Sequence, residues 1–236
     1  MKPLSGQLVV LTGASGSLGG VAAKALAAEG ATMVLVGRRL SRLEAVYDQI
    51  LALGAPTPVI HPTDLATASE DDFKIMADAI KTGFGRLDGL VHLAADFEAL
   101  RPLKDLDGSR WLRSITVNLT APILLTRSLL PLMIESGGGR VVFTDDSSSQ
   151  STSAFFGPYG VAKAGLRQFA GALEAEMGGF GIHAACFTPG PVQSDLRRRI
   201  FAGESQKGLA SAEAAMARLV ELFDSSFEDT AKNGVI

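Results

Sequence analysis

A tyrosine and a lysine lie four residues apart in the chain, at Tyr159 and Lys163. In a helix this spacing places both side chains on one face. A phenol with a pKa of about 10 is too weak an acid to serve as a general base at neutral pH. An adjacent ammonium group favours the phenolate and lowers that pKa. The pair therefore predicts an acid/base group that exchanges a proton with a substrate.

The second chemical feature is a glycine-rich loop at residues 12–19, between a predicted strand and a predicted helix. Glycines there permit a tight turn and close approach of the backbone to a pyrophosphate, while the helix N-terminus supplies N–H donors and a positive dipole. The loop therefore predicts nucleotide binding, in preference to a merely flexible turn. Its candidate binding residues are Gly13, Ser15, Gly16, Ser17 and Leu18.

Two arginines, Arg38 and Arg39, follow the second predicted strand, where an NAD-binding protein carries an acidic residue for the ribose. Guanidinium groups make charge-assisted hydrogen bonds to phosphate. The pair therefore favours NADP(H) over NAD(H), although a solvated pair at a helix start would look the same. Asp64, after the third predicted strand, could accept a hydrogen bond from the adenine amino group or could cap a helix.

The elements that must position these residues are short apolar runs alternating with longer helical patterns. Runs that are apolar throughout indicate strands of a parallel sheet covered on both faces. We therefore expect an α/β fold, a doubly wound parallel sheet in three αβα layers, as one domain over residues 1–236. The predicted strands are 7–12, 31–36, 58–61, 87–93, 140–144 and 183–187, and residues 234–236 could begin another. The predicted helices are 18–28, 41–53 with Ser41 as N-cap, 69–81, a broken region at 107–134, 158–177 and 211–223.

Composition argues against several classes of protein. The 236 residues carry 22 basic and 25 acidic side chains, a net charge of −3, so we do not expect a nucleic-acid partner. The hydrophobic share of 47% is that of a globular chain. A single cysteine, Cys186, excludes an internal disulfide and a multi-cysteine metal cluster. With no signal-peptide pattern, and with the apolar window 121–134 interrupted by Pro122, Arg127 and Pro131, we expect a cytoplasmic protein without a metal or membrane partner.

From residue 5 to about residue 225, the chain resembles the short-chain dehydrogenase/reductase family in its single-domain form. The matches are residues 12–19, Asp64 with Leu65, Asn118 in the run 117–121, Tyr159 with Lys163, and the run 189–194. The resemblance implies a Rossmann fold that binds NAD(P)(H). It also implies hydride transfer between the nicotinamide and a small carbonyl compound or secondary alcohol.

The resemblance implies roles for particular residues as well. Tyr159 would be the acid/base, Lys163 would bind the ribose and modify the pKa of the tyrosine, and Asn118 would anchor a water in a proton relay. The implied cofactor site is completed by Leu65, Ala94, Pro189 and Val192. Residues 194–210 would form a lid over the substrate, and the helices at 107–134 and 158–177 would form the interfaces of a homodimer or homotetramer.

The most important departure from the family pattern is at the position of the catalytic serine. Counting 13 residues back from Tyr159 reaches Asp146, and an ionised aspartate cannot donate a hydrogen bond to a substrate carbonyl as that serine does. Three hypotheses stay open. Ser147 takes the role in a shifted loop; Asp146 is protonated and donates as a neutral acid; or the protein is a weak or inactive enzyme that keeps the nucleotide site. Asp145 and Asp146 together would also favour an oxidised, cationic nicotinamide.

Smaller departures have milder consequences. The middle glycine of the loop stands at position 16, one place before its usual position in the family. Ser17 occupies that usual position and can still offer a backbone N–H to a phosphate. His92 replaces a family asparagine. We interpret His92 as a packed residue in preference to a catalytic one. The arginines at 197–199 are interpreted as a solvated helix face in preference to contacts with an anionic substrate or an acyl-carrier partner. Three aromatic residues could line an apolar pocket or belong to the core: Phe155, Phe156 and Phe201.

Overall fold

Six parallel strands form one sheet in the computed structural model, which describes residues 2–150 and 154–223. In chain order the strands are β1 (Leu8–Thr12), β2 (Thr32–Gly37), β3 (Val59–Pro62), β4 (Gly89–His92), β5 (Gly139–Thr144) and β6 (Ile182–Phe187). Across the sheet their order is β3-β2-β1-β4-β5-β6. The chain builds outward from β1 to β3, returns beside β1, and builds outward again from β4 to β6. The predicted doubly wound parallel sheet is confirmed.

Helices cover both faces of this sheet. In chain order they are α1 (Ser17–Ala28), α2 (Leu40–Ala52), α3 (Glu70–Phe84), α4 (Gly108–Ile115), α5 (Ala121–Glu135), α6 (Ser147–Gln150), α7 (Gly157–Met177), α8 (Asp195–Ile200) and α9 (Ala212–Glu221). Side chains of α1, α2 and α9 form one buried cluster with Val9 and Leu11 of β1. Side chains of α3, α5 and α7 form another with Leu8 and Val10. Alternate residues of β1 face two buried layers, and Leu8, Val9, Val10 and Leu11 are accordingly all apolar. The predicted three-layer arrangement is confirmed.

The start of α2 differs from the prediction. Ser41 does not cap this helix, because the helix already begins at Leu40 with Arg39 at the N-cap and no side-chain cap. The backbone N–H groups of Arg42 and Leu43 both bond the carbonyl of Arg39. The helical turn is therefore under way before the chain reaches Ser41, and the prediction of a serine cap is wrong.

Helix α3 starts one residue later than predicted, with a capping box. The Ser69 hydroxyl accepts a hydrogen bond from the Asp72 N–H at 3.2 Å, and the Asp72 carboxylate accepts one from the Ser69 N–H at 2.8 Å. Such reciprocal bonds satisfy N–H groups that have no partner inside the helix. The helix ends at Phe84, where Gly85 adopts a φ of 68°.

The region predicted as a broken helix at 107–134 is a continuous helical rod. A single π-helical turn, Thr116–Thr120, joins α4 to α5. By length and hydropathy the stretch Gly108–Glu135 is able to cross a membrane, and half of its apolar window is buried. Leu125 and Leu129 on this stretch lie in the buried cluster against the sheet. The packing is that of a core helix.

Two short helices, α6 and α8, were not predicted, because segments of four and six mostly polar residues carry no apolar period. Helix α8 lies inside the predicted lid. The Ser194 hydroxyl caps it by accepting a hydrogen bond from the Arg197 N–H at 3.1 Å. The strand start expected at 234–236 lies outside the described residues.

Candidate active site

An open cavity of about 330 Å³ lies beside the loops that follow the strands. These loops meet where the strand order reverses between β1 and β4, the place at which open parallel sheets bind ligands. The predicted site residues that line the cavity are Gly13, Ser15, Gly16, Ser17, Leu18, Arg38, Arg39, Asp64, Leu65, Ala94, Asp146, Tyr159, Lys163, Pro189 and Val192. The structure does not bring Asn118 or Ser147 to this lining.

The glycine-rich loop is packed too closely for side chains. Gly13 has a φ of +73°, and a Cβ built on it would lie 2.6 Å from the Ala94 backbone nitrogen. A Cβ on Gly19 would lie 2.0 Å from the Gly13 carbonyl oxygen. Helix α1 then begins at Ser17, with Gly16 at its N-cap and no side-chain cap on its first turn. A helix start of this kind fits the pyrophosphate of a dinucleotide.

Three guanidinium groups line the cavity after β2, on Arg38, Arg39 and Arg42. In the part of the chain that the structure describes, none of them makes an ion pair. Three uncompensated cations fit a phosphate group beyond the pyrophosphate. Arg42 was missed from the sequence, although it is a third arginine within five residues.

Asp64 lines the cavity but also serves a local turn. Its Oδ1 accepts a hydrogen bond from the Ala66 N–H at 3.0 Å, and its carbonyl accepts one from the Ala68 N–H at 2.9 Å. Asp64 therefore closes a local turn and does not cap a helix, because α3 begins at Glu70 with Ser69 as its N-cap, so the helix-capping interpretation is wrong. Leu65, next to it, is buried at the cavity wall.

Tyr159, Lys163 and Asp146 meet inside the cavity. Helix α7 places the buried tyrosine and lysine one turn apart, with the lysine Nζ 5.4 Å from the centre of the tyrosine ring. The Tyr159 hydroxyl donates a hydrogen bond to Asp146 Oδ2 at 3.1 Å. Lys163 Nζ donates to the Thr144 carbonyl at 2.6 Å. The group hydrogen-bonded to the phenol is therefore a carboxylate.

The prediction that Lys163 makes the phenol more acidic is wrong in this structure. Burial, followed by the charge and hydrogen bond of Asp146 and then the charge of Asp145, raises the pKa of Tyr159 well above its ordinary value. Burial also lowers the pKa of Lys163. Because a phenolate here would be both desolvated and next to a carboxylate, Tyr159 holds its proton at neutral pH.

The two adjacent acids have different surroundings. The Asp145 side chain is 1% exposed, and its Oδ1 accepts a hydrogen bond from Arg167 at 2.8 Å. Asp146 instead contacts the tyrosine, and its Oδ1 accepts a hydrogen bond from the Ser148 N–H at 2.8 Å. The charge of Asp145 is thus paired within the protein, while the carboxylate of Asp146 faces the cavity.

Ser147 does not replace the family serine in this structure. It is exposed at the start of α6, outside the cavity lining, while Asp146 occupies the position beside Tyr159. The first turn of α6 is the reason, since it fixes the Asp146 carboxylate on the Ser148 N–H and directs the next residue outward. The hypothesis of a loop shifted by one residue is therefore wrong.

Asn118 lies in the π-helical turn and is buried. Its Nδ2 donates to the carbonyls of Asp96 and Ser114 at 2.7 and 2.8 Å, and its Oδ1 accepts from the Asp96 N–H at 2.9 Å. These bonds tie the loop after β4 to the helical rod. The polar atoms of the side chain are used inside the protein and are not directed into the cavity, contrary to the implied role.

Aromatic side chains cover the tyrosine ring. Phe97 stacks on Tyr159 with ring centres 4.4 Å apart and planes 6° apart, and Phe156 packs on Phe97 at 5.4 Å. Ile200 and Phe201, at the end of α8, pack on this cluster. Phe97, Ile200 and Phe201 form an apolar wall of the cavity. Phe97 was missed from the sequence, because a single phenylalanine in a loop has no informative spacing.

The arginines of α8 have three different environments. Arg198 pairs with an exposed aspartate, which fits the solvated-face interpretation. Arg197 makes two hydrogen bonds of 2.6 Å to Glu204, and Arg199 Nη2 donates to the Phe97 carbonyl at 2.9 Å. Because Arg197 and Arg199 also line the cavity, that interpretation is wrong for both.

His92 is packed, as interpreted from the sequence. Its ring stacks on Phe143 at 5.0 Å, and its Nε2 lies 2.9 Å from the Thr126 hydroxyl. Burial lowers the pKa of His92 to about 3, so the ring is neutral at working pH. Over residues 2–150 and 154–223, no three His, Cys, Asp or Glu side chains come together as a metal site requires.

Comparison with known proteins gives a consistent result. Residues 7–205 match a family model described as short chain dehydrogenase. The oxidoreductase YciK of Escherichia coli strain K12 is 29% identical over 206 residues, covering 87% of this chain and 81% of the relative. The chain spans 57 to 62% of the length of several other curated relatives.

Solved structures share the fold over nearly the whole chain. A short chain dehydrogenase from Shigella flexneri complexed with NADP is 27% identical, with a TM-score of 0.91 over 95% of this chain and 94% of the other. One from Escherichia coli CFT073 complexed with NADPH is 28% identical, with a TM-score of 0.92 over 99% and 96%.

Proposed function

This chain belongs to the short-chain dehydrogenase family of oxidoreductases, and on that premise we propose that it uses NADP(H) to interconvert a small carbonyl compound and a secondary alcohol. Tyr159 transfers the proton at the substrate oxygen. The observation that carries the proposal is that the glycine-rich loop, the three arginines after β2 and Tyr159 all line the same cavity.

The cavity residues fit the proposed cofactor in chemistry and space. The first turn of α1 would hold the pyrophosphate, Arg38, Arg39 and Arg42 would hold the 2′-phosphate, and Lys163 would bind a ribose hydroxyl. Pro189 and Val192 would flank the nicotinamide ring. When bound, the nicotinamide supplies or accepts the hydride. The complexes of two related dehydrogenases with NADP and NADPH support the preference over NAD(H).

The protein's own part is to position the substrate and move its proton. The Tyr159 hydroxyl lies at the cavity wall and contacts the substrate oxygen, while Phe97 and Phe201 pack against the substrate carbon atoms and exclude water. Lys163 brings positive charge near this oxygen. Residues 194–210 act as the lid, held over the cavity by the hydrogen bond from Arg199 to the Phe97 carbonyl.

A panel of carbonyl compounds with NADPH, and of secondary alcohols with NADP⁺, tests the proposal. We expect turnover by the wild type and a loss of about 10²- to 10⁴-fold in kcat/KM for Tyr159→Phe, the range for removal of a positioned proton donor or acceptor. Binding of NADPH, followed by its fluorescence, should persist in the variant. Equal rates in the two proteins would exclude Tyr159 from proton transfer.

A second candidate function is a nucleotide-binding protein with weak or no turnover. It is favoured by Asp146, which stands where the family has a serine and engages the phenol at 3.1 Å. On this hypothesis Asp146→Ser creates or greatly raises activity. Brisk turnover by the wild type would contradict it.

The proposal extends to the assembly and location of the enzyme. The partner is a small molecule, and the enzyme is a cytoplasmic homodimer or homotetramer. Leu112 on α4 and Val161 on α7 support such an assembly, because both are exposed apolar residues on neighbouring helices. The buried free thiol of Cys186 is consistent with a reducing compartment.

A further inference from the structure

The hydrogen bond between Tyr159 and Asp146 limits what the phenol can offer a substrate. A phenol has one hydrogen, and in this structure it is directed at Asp146 Oδ2. The Tyr159 oxygen therefore remains an acceptor toward the cavity. An alcohol has a hydrogen to donate to that oxygen, whereas a carbonyl compound has none.

Asp146 is held firmly in the position that receives this hydrogen. Its Oδ1 accepts a hydrogen bond from the Ser148 N–H at 2.8 Å, and its backbone carbonyl accepts hydrogen bonds from the N–H and the hydroxyl of Ser149 at 2.9 and 2.8 Å. The first turn of α6 thus leaves Oδ2 on the phenol. The carboxylate is part of the cavity wall and can reach solvent through the open cavity.

The charged and titratable groups around this pair come from every neighbouring element. They are Lys163 and Arg167 on α7, Asp145 after β5, His92 on β4, Cys186 on β6, and Asp96, Arg113, Arg197 and Arg199 at the cavity wall. Burial lowers the pKa of His92 to about 3 and raises that of Cys186 to about 12, so neither carries charge at neutral pH. Arg167 offsets Asp145, and Asp96 and Glu204 pair with Arg113 and Arg197. Lys163, whose charge interacts with that of Asp146, then supplies positive charge beside the carboxylate, and Arg199 adds a second cation at the cavity wall.

We propose that Asp146 is the proton acceptor of this site and acts through Tyr159 during alcohol oxidation. The inference rests on the proposed function. The substrate O–H bond breaks as a new O–H bond forms on the Tyr159 oxygen, and the original Tyr159 O–H bond breaks as one forms on Asp146 Oδ2. The alcohol carbon loses a hydride to NADP⁺ and becomes a carbonyl, so the alcohol is oxidised and the cofactor reduced. Asp146 then releases its proton to solvent. Carbonyl reduction is the reverse and requires a proton on Asp146 first.

The pH dependence of alcohol oxidation separates this role from a structural one. Asp146→Asn keeps the size of the side chain and an acceptor oxygen but cannot take up a proton. We expect its kcat at pH 7 to fall by about 10²- to 10³-fold and to recover at alkaline pH, where Tyr159 itself ionises.

The matched control for this pH profile is Glu98→Gln, which removes one exposed carboxylate that pairs with Arg110. It should keep the wild-type profile. A profile for Asp146→Asn that keeps the wild-type shape, whether scaled down or not, would overturn the proposal.

A titration of the unliganded protein tests the same hydrogen bond without turnover. The chain has two tyrosines, Tyr47 and Tyr159, so Tyr47→Phe leaves only the phenol of interest, observed through the NMR shift of its Cζ carbon. In this background Asp146→Asn should lower the ionisation midpoint of Tyr159 by about one pH unit or more, and Glu98→Gln should leave it unchanged. An unchanged midpoint in Asp146→Asn means that the carboxylate does not hold the proton, and the inference falls. A lowered midpoint with no turnover in any variant would instead overturn the proposed function.

Discussion

At the scale of single residues, burial sets the charge of the groups around the end of the sheet. His92 is the clearest case, because its ring is enclosed by Phe143 and Thr126 and its pKa is lowered to about 3. In the unfolded chain its pKa returns to about 6.5. Between these values the unfolded state binds a proton that the native state does not. The free energy of unfolding should therefore be greatest above pH 6.5 and fall as the pH drops toward 3.

The change His92→Asn should remove this contribution to the pH dependence of the free energy of unfolding. Below pH 6.5 the free energy of unfolding of the variant, measured by urea titration, should fall less steeply than that of the wild type, by up to about 1.4 kcal/mol per pH unit. His61→Asn is the comparison, since His61 is half-buried and burial also lowers its pKa; its flattening should be smaller. Equal slopes in the wild type and His92→Asn would show that His92 is protonated in the native state.

Cofactor preference also belongs to this scale. Arg38→Asp should weaken NADPH binding by about 10- to 100-fold, because it removes a charge-assisted hydrogen bond to the 2′-phosphate and adds repulsion. NADH, which lacks that phosphate, should be affected far less. Lys104→Asp makes the same charge change at an exposed residue outside the cavity lining and should leave both affinities unchanged. An unaltered ratio of NADPH to NADH affinity in Arg38→Asp would refute the role of the arginines.

Among single residues, those that the structure brings to the cavity as expected from the sequence are related by spacing within one element. Tyr159 and Lys163 share a helix turn, and Gly13 and Gly16 share one loop, so their placement follows from local geometry. Through-space contacts were not predictable in this way. The stacking of Phe97 on the phenol and the raised pKa of Tyr159 both depend on how distant segments pack.

At the scale of elements, the junction of β1 and α1 carries the proposed nucleotide site. The two elements pack closely there. Gly19 lies against the Gly13 carbonyl oxygen and leaves no room for a side-chain methyl group. The loop can therefore approach a pyrophosphate only while its backbone keeps this packing.

The change Gly19→Ala should disrupt that junction. Its Cβ would lie 2.0 Å from a backbone oxygen, so we expect the free energy of unfolding to fall by about 1–3 kcal/mol and NADPH affinity to fall with it. Gly171→Ala is the matched control, because Gly171 lies in the middle of α7 with nothing within 4 Å of an added Cβ. That change should raise stability by about 0.5–1 kcal/mol. Urea unfolding checks both, and equal effects of the two changes would contradict the close packing.

Sequence patterns predicted the long elements well and the short ones poorly. The six strands and the long helices have apolar periods that burial against the sheet requires. Helices α6 and α8 have no such apolar period. They nevertheless decide which residue contacts Tyr159 and where the arginines of α8 lie. The turn of α6 selects Asp146 over Ser147, and α8 places Arg197 and Arg199 at the cavity.

At the scale of the whole molecule, the proposed assembly would bury apolar residues that are exposed on α4 and α7. Leu112 is 66% exposed on α4, and Ile75 is 65% exposed on α3. The proposed interface contains Leu112 and does not contain Ile75. A charged substitution at Leu112 should therefore disrupt the expected homodimer or homotetramer, whereas the same substitution at Ile75 should not.

Sedimentation of the purified protein tests this assembly. We expect the wild type and Ile75→Glu to sediment as the same dimer or tetramer, and Leu112→Glu to shift toward the monomer, because the buried charge opposes association. A monomeric wild type, or dissociation by Ile75→Glu alone, would contradict the proposed interface.

The most direct test of the whole account is a crystal structure with NADP⁺ bound, and the measurement is the position of the Tyr159 hydroxyl relative to nicotinamide C4. We expect one substrate to reach both, with its oxygen about 3 Å from the hydroxyl and its carbon about 3.5 Å from C4, and with Asp146 still on the phenol. A nicotinamide ring bound away from Tyr159, or a phenol screened from it by Phe97, would contradict the account.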